Sequence, residues 1–329
     1  MKLWFLTFAV TCVSAVVAQD LSLFKARESG AYAKEILRIV DDMGNPVPGA
    51  HVWGGLQTGD HLNDYSVIDG YSDANGVYVI KGKCTNRIRC DIRKKGFYRS
   101  EFLLKNYGCS HVVNNGKWEP YGNVTVVVLR RIDRLGEMFV PNGSGAGVGR
   151  WSIPVREAWT GFDLEKFDWV TPYGSGVHED VLLKFSTAIN NEYKDFRLEM
   201  EVCFTNNPFA GAYVCKKGAY SDFPWPRCAD SNACYVAQLK YVNERRPDGT
   251  HVSNVLSKDE CLIFRTRTTV DRKGNLLSAH YGVISGEWSL GSETIRVGDA
   301  CFNNKENDVC IEDGYYLRKA VREGLQRDR

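Results

Sequence analysis

The stretch ILRIVDDMGNPVPGAHV, residues 36–52, decides the fold class of this chain. Two apolar runs flank a centre that contains glycine, asparagine and proline. Asn45-Pro46 marks a tight turn, because proline fixes its own φ and pushes the preceding residue towards extended geometry. We therefore predict a strand, a turn and a second strand across these residues.

Similar signals follow in the first half of the chain. Residues 73–76, Asp-Ala-Asn-Gly, predict another turn, since Gly76 is free to take a positive φ. Residues 77–80 and 124–129 are short, mostly apolar and β-branched, which is typical of buried sandwich strands.

The second half repeats the pattern. Residues 196–202 alternate apolar and charged side chains, which is the period of a half-buried strand, and residues 263–270 do the same. Residues 271–275 predict a hairpin loop, with residues 276–284 returning as the partner strand. Many short strands separated by turn residues predict an all-β chain.

Three stretches, residues 36–52, 70–80 and 94–98, resemble the carboxypeptidase regulatory-like domain. The resemblance implies a transthyretin-type β-sandwich that serves as a scaffold or adaptor rather than as a catalyst. In the second half, residues 161–164, 168–176, 264–268 and 281–282 resemble a group of uncharacterised secreted bacterial proteins, a resemblance that carries no known activity. We expect a second β-sandwich there, linked by disulfides.

The N-terminus predicts export. Lys2 precedes an apolar run over residues 3–17, and Ala18 supplies a cleavage site ahead of Gln19. The run is shorter than the roughly 20 apolar residues of a membrane span. A lipoprotein anchored at Cys12 is the alternative, although Thr11 is a poor residue before a modified cysteine. We expect a secreted, periplasmic or cell-surface protein without a membrane span.

The predicted organisation has six parts. They are a signal peptide (1–18), an N-terminal extension (19–35), the carboxypeptidase regulatory-like sandwich (36–131), a glycine-rich linker (132–150), a second β-rich domain (151–313) and a basic C-terminal tail (314–329). The formal net charge of +2 gives no reason to expect a nucleic acid or another anionic polymer as partner.

Ten cysteines remain once Cys12 leaves with the leader, and an even number in an oxidising compartment favours disulfides. No Cys-x-x-Cys pair occurs, so we expect neither a zinc ribbon nor a thioredoxin-like site. Close spacing suggests the local pairs Cys84–Cys90, Cys203–Cys215, Cys228–Cys234 and Cys301–Cys310. Cys109 and Cys261 are left over, so either they bridge the two domains or the local pairing is wrong.

The segment WTGFDLEKFDW, residues 159–169, combines aromatic rings with carboxylates. It is a candidate sugar-binding platform, in which rings stack on sugar faces and carboxylates accept hydroxyl hydrogen bonds. The predicted contact residues are Trp159, Asp163, Asp168, Trp169 and Tyr173. The structural alternative is a loop whose aromatic rings fill the core. A glycosidase pair would instead need two carboxyls roughly 5–10 Å apart across a cleft.

We therefore predict a secreted, non-catalytic binding or structural module whose partner is a polysaccharide or an extracellular protein. No catalytic residue, metal or cofactor is expected, because the adjacent His178, Glu179 and Asp180 point to alternate faces of a strand. One alternative is a glycan hydrolase that uses Asp163, Asp168, Glu179 or Asp180. Another is an adhesion or assembly component of the cell surface. The sequence does not predict the oligomeric state.

Overall fold

A computed structural model describes residues 23–59, 64–104, 112–136, 138–139, 149–191, 194–205, 209–218, 221–285 and 289–312. The predicted signal peptide, Cys109, the predicted basic tail and most of the predicted linker lie outside these residues. The chain divides into two compact units: unit 1 comprises Met1–Ile132 and Tyr220–Asp222, and unit 2 comprises Asp133–Ala219 and Phe223–Arg329. No described helix is both long and apolar enough to cross a membrane.

Unit 1 is a two-layer β-sandwich preceded by a short helix over residues 23–29. Its strands are β1 (Ala31–Asp41), β2 (His51–Gln57), β3 (Tyr65–Tyr71), β4 (Val77–Cys84), β5 (Ile88–Arg93), β6 (Ser100–Leu104), β7 (Val112–Asn114), β8 (Lys117–Glu119) and β9 (Asn123–Leu129). One sheet has the order β4-β1-β8-β7, with β9 also paired to β1, and the other has the order β3-β2-β5-β6. Alternate residues of both sheets face a common apolar core.

The turn after β1 has the chemistry that the sequence predicts. The carboxylate of Asp41 accepts the backbone N–H groups of Met43 and Asn45 at 3.0 and 2.8 Å, and Gly44 has a φ of 84°. The start of β1 differs from the prediction, because residues 31–35, assigned to the N-terminal extension, are strand. Ala31 and Ala33 are buried and complete the pattern of inward-facing residues that continues with Leu37.

Unit 2 contains fourteen described strands. They are β10 (Met138–Phe139), β11 (Gly149–Ser152), β12 (Thr160–Asp163), β13 (Asp168–Trp169), β14 (Val181–Asn191), β15 (Asp195–Phe204), β16 (Gly211–Lys216), β17 (Gln238–Arg245), β18 (His251–Ser253), β19 (Glu260–Val270), β20 (Leu276–Ser285), β21 (Ser289–Leu290), β22 (Thr294–Val297) and β23 (Asp299–Asn303). Strands β10 and β11 fall within the segment predicted as a linker, where each pairs with a strand from the end of the chain.

The core of unit 2 lies between a six-stranded sheet, β13-β12-β14-β15-β17-β18, and a five-stranded sheet, β10-β23-β20-β19-β16. Leu290 and Ile295, from the three-stranded sheet β11-β22-β21, join the same core. Met200 and Phe264, from the two larger sheets, are fully buried. Burial of a side chain of this size contributes about 1.5–3 kcal/mol.

The hairpin predicted over residues 263–284 is confirmed. Strands β19 and β20 pair antiparallel, and the Asp271 carboxylate closes the loop by accepting the backbone N–H groups of Lys273 and Asn275, each at 2.8 Å. The all-β, sandwich-type fold class is likewise confirmed. The disulfide link and the transthyretin-type resemblance remain predictions.

Candidate functional site

The predicted sugar platform lies on the β12–β13 hairpin of unit 2, and the structure divides its aromatic residues into two groups. Trp159 and Tyr173 are 47% and 50% exposed, whereas Trp169 is only 3% exposed. The Trp169 ring packs edge-on against Phe162, and its Nε1–H donates to the carbonyl of Ser152 at 2.9 Å. Trp169 therefore belongs to the core, contrary to its predicted role as a ligand contact.

Asp163 is completely buried and holds the hairpin loop together. Its Oδ1 accepts the backbone N–H groups of Glu165 and Lys166 at 2.8 and 3.0 Å. Its Oδ2 accepts those of Val177 and His178 at 2.8 and 2.9 Å. Burial alone would raise the pKa of this carboxyl, but the four N–H donors outweigh burial and lower the pKa below its usual range.

Asp180 is also completely buried, and it forms a bidentate ion pair with Arg267. The Arg267 Nε lies 3.0 Å from Oδ1 of Asp180 and its Nη2 lies 3.1 Å from Oδ2. The hydroxyl of Thr266 and the backbone N–H of Leu164 also donate to this carboxylate, each at 3.0 Å. Each carboxylate oxygen of Asp180 therefore accepts two hydrogen bonds.

Arg267 also forms ion pairs with two other carboxylates. Its guanidinium lies 2.6 Å from Glu165 and 3.4 Å from Asp163, and it covers the ring of Phe302 at 4.7 Å from the centroid. Burial disfavours the charged guanidinium, but Asp180 and Glu165 outweigh that effect and raise the pKa of Arg267. We call Asp163, Glu165, Asp180 and Arg267 the charge cluster.

Asp168 is held in a similar way, although it is half-buried. Its Oδ1 accepts the backbone N–H of Trp169 at 2.8 Å, and its Oδ2 accepts the backbone N–H and hydroxyl of Ser175 at 2.8 and 2.7 Å. His178 and Glu179 are exposed while Asp180 is buried, so these three neighbours do not converge on one ligand. Glu179 is the exposed carboxylate among the residues considered for hydrolysis.

Arg267 was not predicted as a site residue. The alternation of residues 263–270 indicated that their charged positions face solvent, yet Arg267 points inward with an unusual φ of 51°. The available signal was indirect: a loop rich in carboxylates and core aromatics requires a cation when it is buried.

A second polar surface, also not predicted, lies on the outer face of the five-stranded sheet of unit 1. We call it the lysine face, and it consists of Tyr32, Lys34, Lys81, Lys83, Lys117 and Tyr121. None of its lysines forms an ion pair with a described residue. Glu119 shares this face, but its carboxylate accepts the backbone N–H of Tyr121 at 2.9 Å.

Strand pairing concentrates these lysines. Lys34 lies directly opposite Lys81, and Tyr32 lies between Lys83 on one neighbouring strand and Lys117 on the other. The Lys83 and Lys117 ammonium groups lie over tyrosine rings, at 5.9 Å from the Tyr32 centroid and 4.9 Å from the Tyr121 centroid. Like charges placed directly opposite each other destabilise a sheet, so the Lys34–Lys81 pair is unfavourable for this sheet.

The structure places the predicted cysteines in different surroundings. Cys84 and Cys90 are fully buried in the core of unit 1, where burial raises the pKa of Cys84 to about 11 and that of Cys90 to about 12.

In unit 2, Cys301 and Cys310 are buried, Cys203 and Cys215 are half-buried, and Cys228 and Cys234 are exposed. The residue directly opposite Cys215 is Cys261 rather than Cys203, and Cys228 forms a β-bridge with Cys310 rather than lying in a pair with Cys234.

No protein-family model matches the chain, and no curated protein matches it. Among solved structures, 3-chlorocatechol 1,2-dioxygenase from Rhodococcus opacus 1CP is 11% identical with a TM-score of 0.27, and the match covers 32% of this chain and 62% of the dioxygenase. A DUF3823 family protein from Parabacteroides merdae is 7% identical with a TM-score of 0.21, over 82% of this chain and 99% of that protein.

BcpA, the major pilin subunit of Bacillus cereus, is 11% identical with a TM-score of 0.22, over 81% of this chain and 95% of the pilin. TM-scores this low support no argument about fold or function. The family resemblances inferred from the sequence therefore stay predictions.

Proposed function

We propose that the protein is an exported, non-catalytic binding module that contacts a polysaccharide through the exposed rings of Trp159 and Tyr173. The observation that carries this proposal is the contrast on one hairpin between two half-exposed rings and buried carboxylates that are fully engaged. Exposed aromatic rings offer flat apolar surfaces on which sugar faces can stack, whereas the Asp163 carboxylate is used in hydrogen bonds that hold the loop together.

The backbone hydrogen bonds of the hairpin bear on where Trp159 and Tyr173 lie along the chain. The N–H of Val170 donates to the carbonyl of Gly161 at 3.0 Å, and the N–H of Tyr173 donates to the carbonyl of Val170 at 3.1 Å. Trp159 precedes this pairing and Tyr173 follows it. Both residues therefore belong to the open end of the hairpin, away from its turn.

Glycan hydrolysis is less well supported. A general acid needs a raised pKa and direct access to the glycosidic oxygen. Asp163 has a lowered pKa and no exposure, and Asp180 is bound to Arg267 on both oxygens. Asp168 is half-buried and accepts three hydrogen bonds, so Glu179, the exposed candidate, gives that alternative its clearest test.

The experiment is a glycan array followed by titration calorimetry on the full mature chain, comparing wild type with Trp159→Ala and Tyr173→Ala. Each substitution should weaken binding of the glycan hit at least tenfold. Trp53→Ala is the matched control, because Trp53 is 53% exposed on unit 1 and should not contribute. Unchanged affinity in both variants, or reducing-sugar release that Glu179→Gln abolishes, would contradict the proposal.

The lysine face favours a second candidate function, recognition of an anionic polysaccharide by unit 1. Four lysines without acidic partners among the described residues, together with two tyrosines, supply both charge and stacking surface. Binding of this kind weakens steeply with salt, whereas stacking on Trp159 does not. An adhesion or assembly component would instead show a protein ligand and no glycan hit.

A further inference from the structure

Two pairs of cysteines in unit 2 occupy directly paired positions on neighbouring backbone segments, and neither pair is suggested by spacing in the sequence. The first pair joins β16, an edge strand among those described, to β19. Cys215 and Cys261 are directly opposite each other in the antiparallel register, and their sulfur atoms lie 2.8 Å apart.

That geometry matches the requirements of a disulfide. Directly opposite residues of antiparallel strands have Cα atoms about 4.5–5.5 Å apart, and disulfides need about 4.4–6.8 Å. The sulfur atoms already touch, so only a small side-chain adjustment is needed to form the bond. No movement of either strand is required.

From these contacts we infer that unit 2 is cross-linked by a disulfide between Cys215 and Cys261, and by a second one between Cys228 and Cys310. The second pair rests on an independent observation, an antiparallel β-bridge between Cys228 and Cys310 outside the regular strands. Around it, the N–H of Ala229 donates to the carbonyl of Val309 at 2.8 Å, which fixes the two segments side by side.

The chemistry of the first bond starts at the more accessible sulfur. Cys215 is half-buried and Cys261 is fully buried, and the hydrogen bond between the two thiols lowers the pKa of Cys215. The Cys215 thiolate attacks an external disulfide, such as that of oxidised glutathione or a thiol oxidase, and releases one thiolate. Cys261 then loses its proton and attacks the Cys215 sulfur, which releases the second thiolate. The external disulfide thus takes up two electrons and becomes two thiols.

These two bonds would replace three local pairs suggested by the sequence, Cys203–Cys215, Cys228–Cys234 and Cys301–Cys310. Cys261 would then find its partner within unit 2 and not in Cys109. The linked positions are 46 residues apart, so the bond closes a much longer loop than Cys203–Cys215 would. Longer loops lose more conformational freedom when they are closed, so this bond should stabilise unit 2 more than the local pair could.

The test is peptide mapping of the full mature chain, purified from an oxidising compartment or refolded with a glutathione redox pair. After alkylation without reductant, we expect the peptides that contain Cys215 and Cys261 to be linked, and to separate on reduction. The peptides that contain Cys228 and Cys310 should behave in the same way. Linkage of Cys215 to Cys203, or full alkylation of Cys215 and Cys261 in the denatured oxidised protein, would overturn the first pair.

Variants provide an independent readout. Cys203→Ser should leave the Cys215–Cys261 link intact, whereas Cys261→Ser should leave Cys215 open to alkylation. If Cys261→Ser does not fold, the wild-type map and the Cys203→Ser map still decide the pairing. Cys234→Ser is the corresponding test of the second pair: in this variant Cys228 should remain linked to Cys310.

Discussion

In unit 2, three carboxylates converge on the guanidinium of Arg267, whereas in unit 1 four lysines share one sheet face without an acidic partner among the described residues. Asp163 and Asp180 of the charge cluster are fully buried, Glu165 and Arg267 are half-buried, and almost every carboxylate oxygen in the cluster accepts a specific donor. The lysine face is largely exposed, and the ammonium groups of Lys34, Lys83 and Lys117 lie over two tyrosine rings.

The comparison separates the role of buried charge in stability from the role of exposed charge in binding. Removing charges from water is costly, so a buried group persists only where partners compensate it, and its loss should then damage the fold. An exposed, uncompensated group adds little to stability and is free to meet a ligand. Substitutions in the charge cluster should therefore change stability, and substitutions on the lysine face should change binding.

Among the charged residues, the largest effect is expected for Arg267→Met. The substitution leaves Asp180 and Asp163 buried without their cation, which should destabilise unit 2 by about 3–5 kcal/mol in urea denaturation. Arg197→Met is the matched control, because Arg197 pairs with Glu199 and Glu244 at an exposed position and its loss should leave stability close to that of wild type. Equal losses in the two variants would contradict the distinction between buried and exposed charge.

A smaller effect is expected for Asp163→Asn, which keeps the shape of the side chain but places an amide NH₂ against backbone N–H donors. At neutral pH the loss should be about 2 kcal/mol, since hydrogen bonds to a charged group contribute more than neutral ones.

This loss should depend on pH in a defined direction. The folded-state pKa of Asp163 is lowered, so its stabilising contribution is complete above the unfolded-state pKa of about 3.9 and is lost as pH falls through the folded-state value. The stability difference between wild type and Asp163→Asn should therefore narrow below about pH 4. A difference that stays constant from pH 7 to pH 3 would show that the carboxylate charge is not responsible.

Local signals in the sequence were sufficient for much of the fold. The turn at Asp41 and the hairpin loop at Asp271 were predictable because their donors and acceptors lie within four residues of each other. Strand alternation likewise predicted the β19–β20 pairing, since an apolar face must be buried.

The site was less predictable because its contacts are distant in the chain. Arg267 reaches Asp163 across 104 positions, and no local pattern connects them. Trp159 and Trp169 look equivalent in the sequence, yet one is exposed and the other fills the core, because the aromatic packing of the folded hairpin decides between them. Cysteine spacing likewise does not predict that Cys215 lies opposite Cys261, because strand register is a tertiary property.

On the lysine face, the double substitution Lys81→Gln and Lys83→Gln should change stability by only about 0.2–1 kcal/mol. The variant should be the more stable protein, because the repulsion between Lys34 and Lys81 is removed. Affinity for an anionic polysaccharide should fall about tenfold at low salt, which corresponds to 1.4 kcal/mol. The control is Lys273→Gln in the β19–β20 loop of unit 2. If the double variant and Lys273→Gln bind the anionic polysaccharide with equal affinity, the lysine face is not a binding surface.

The smallest effect on stability is expected for Trp159→Ala. Surface substitutions away from buried contacts usually change stability by no more than about 0.5 kcal/mol, and Trp159 is 47% exposed. The same change at Trp169, which is 3% exposed, should cost about 3–5 kcal/mol, because it leaves a cavity beside Phe162. Thermal unfolding of the two variants side by side measures the contrast. A large loss of stability in Trp159→Ala would place that ring in the core as well, and the exposed platform on which the proposed function rests would then have no aromatic anchor except Tyr173.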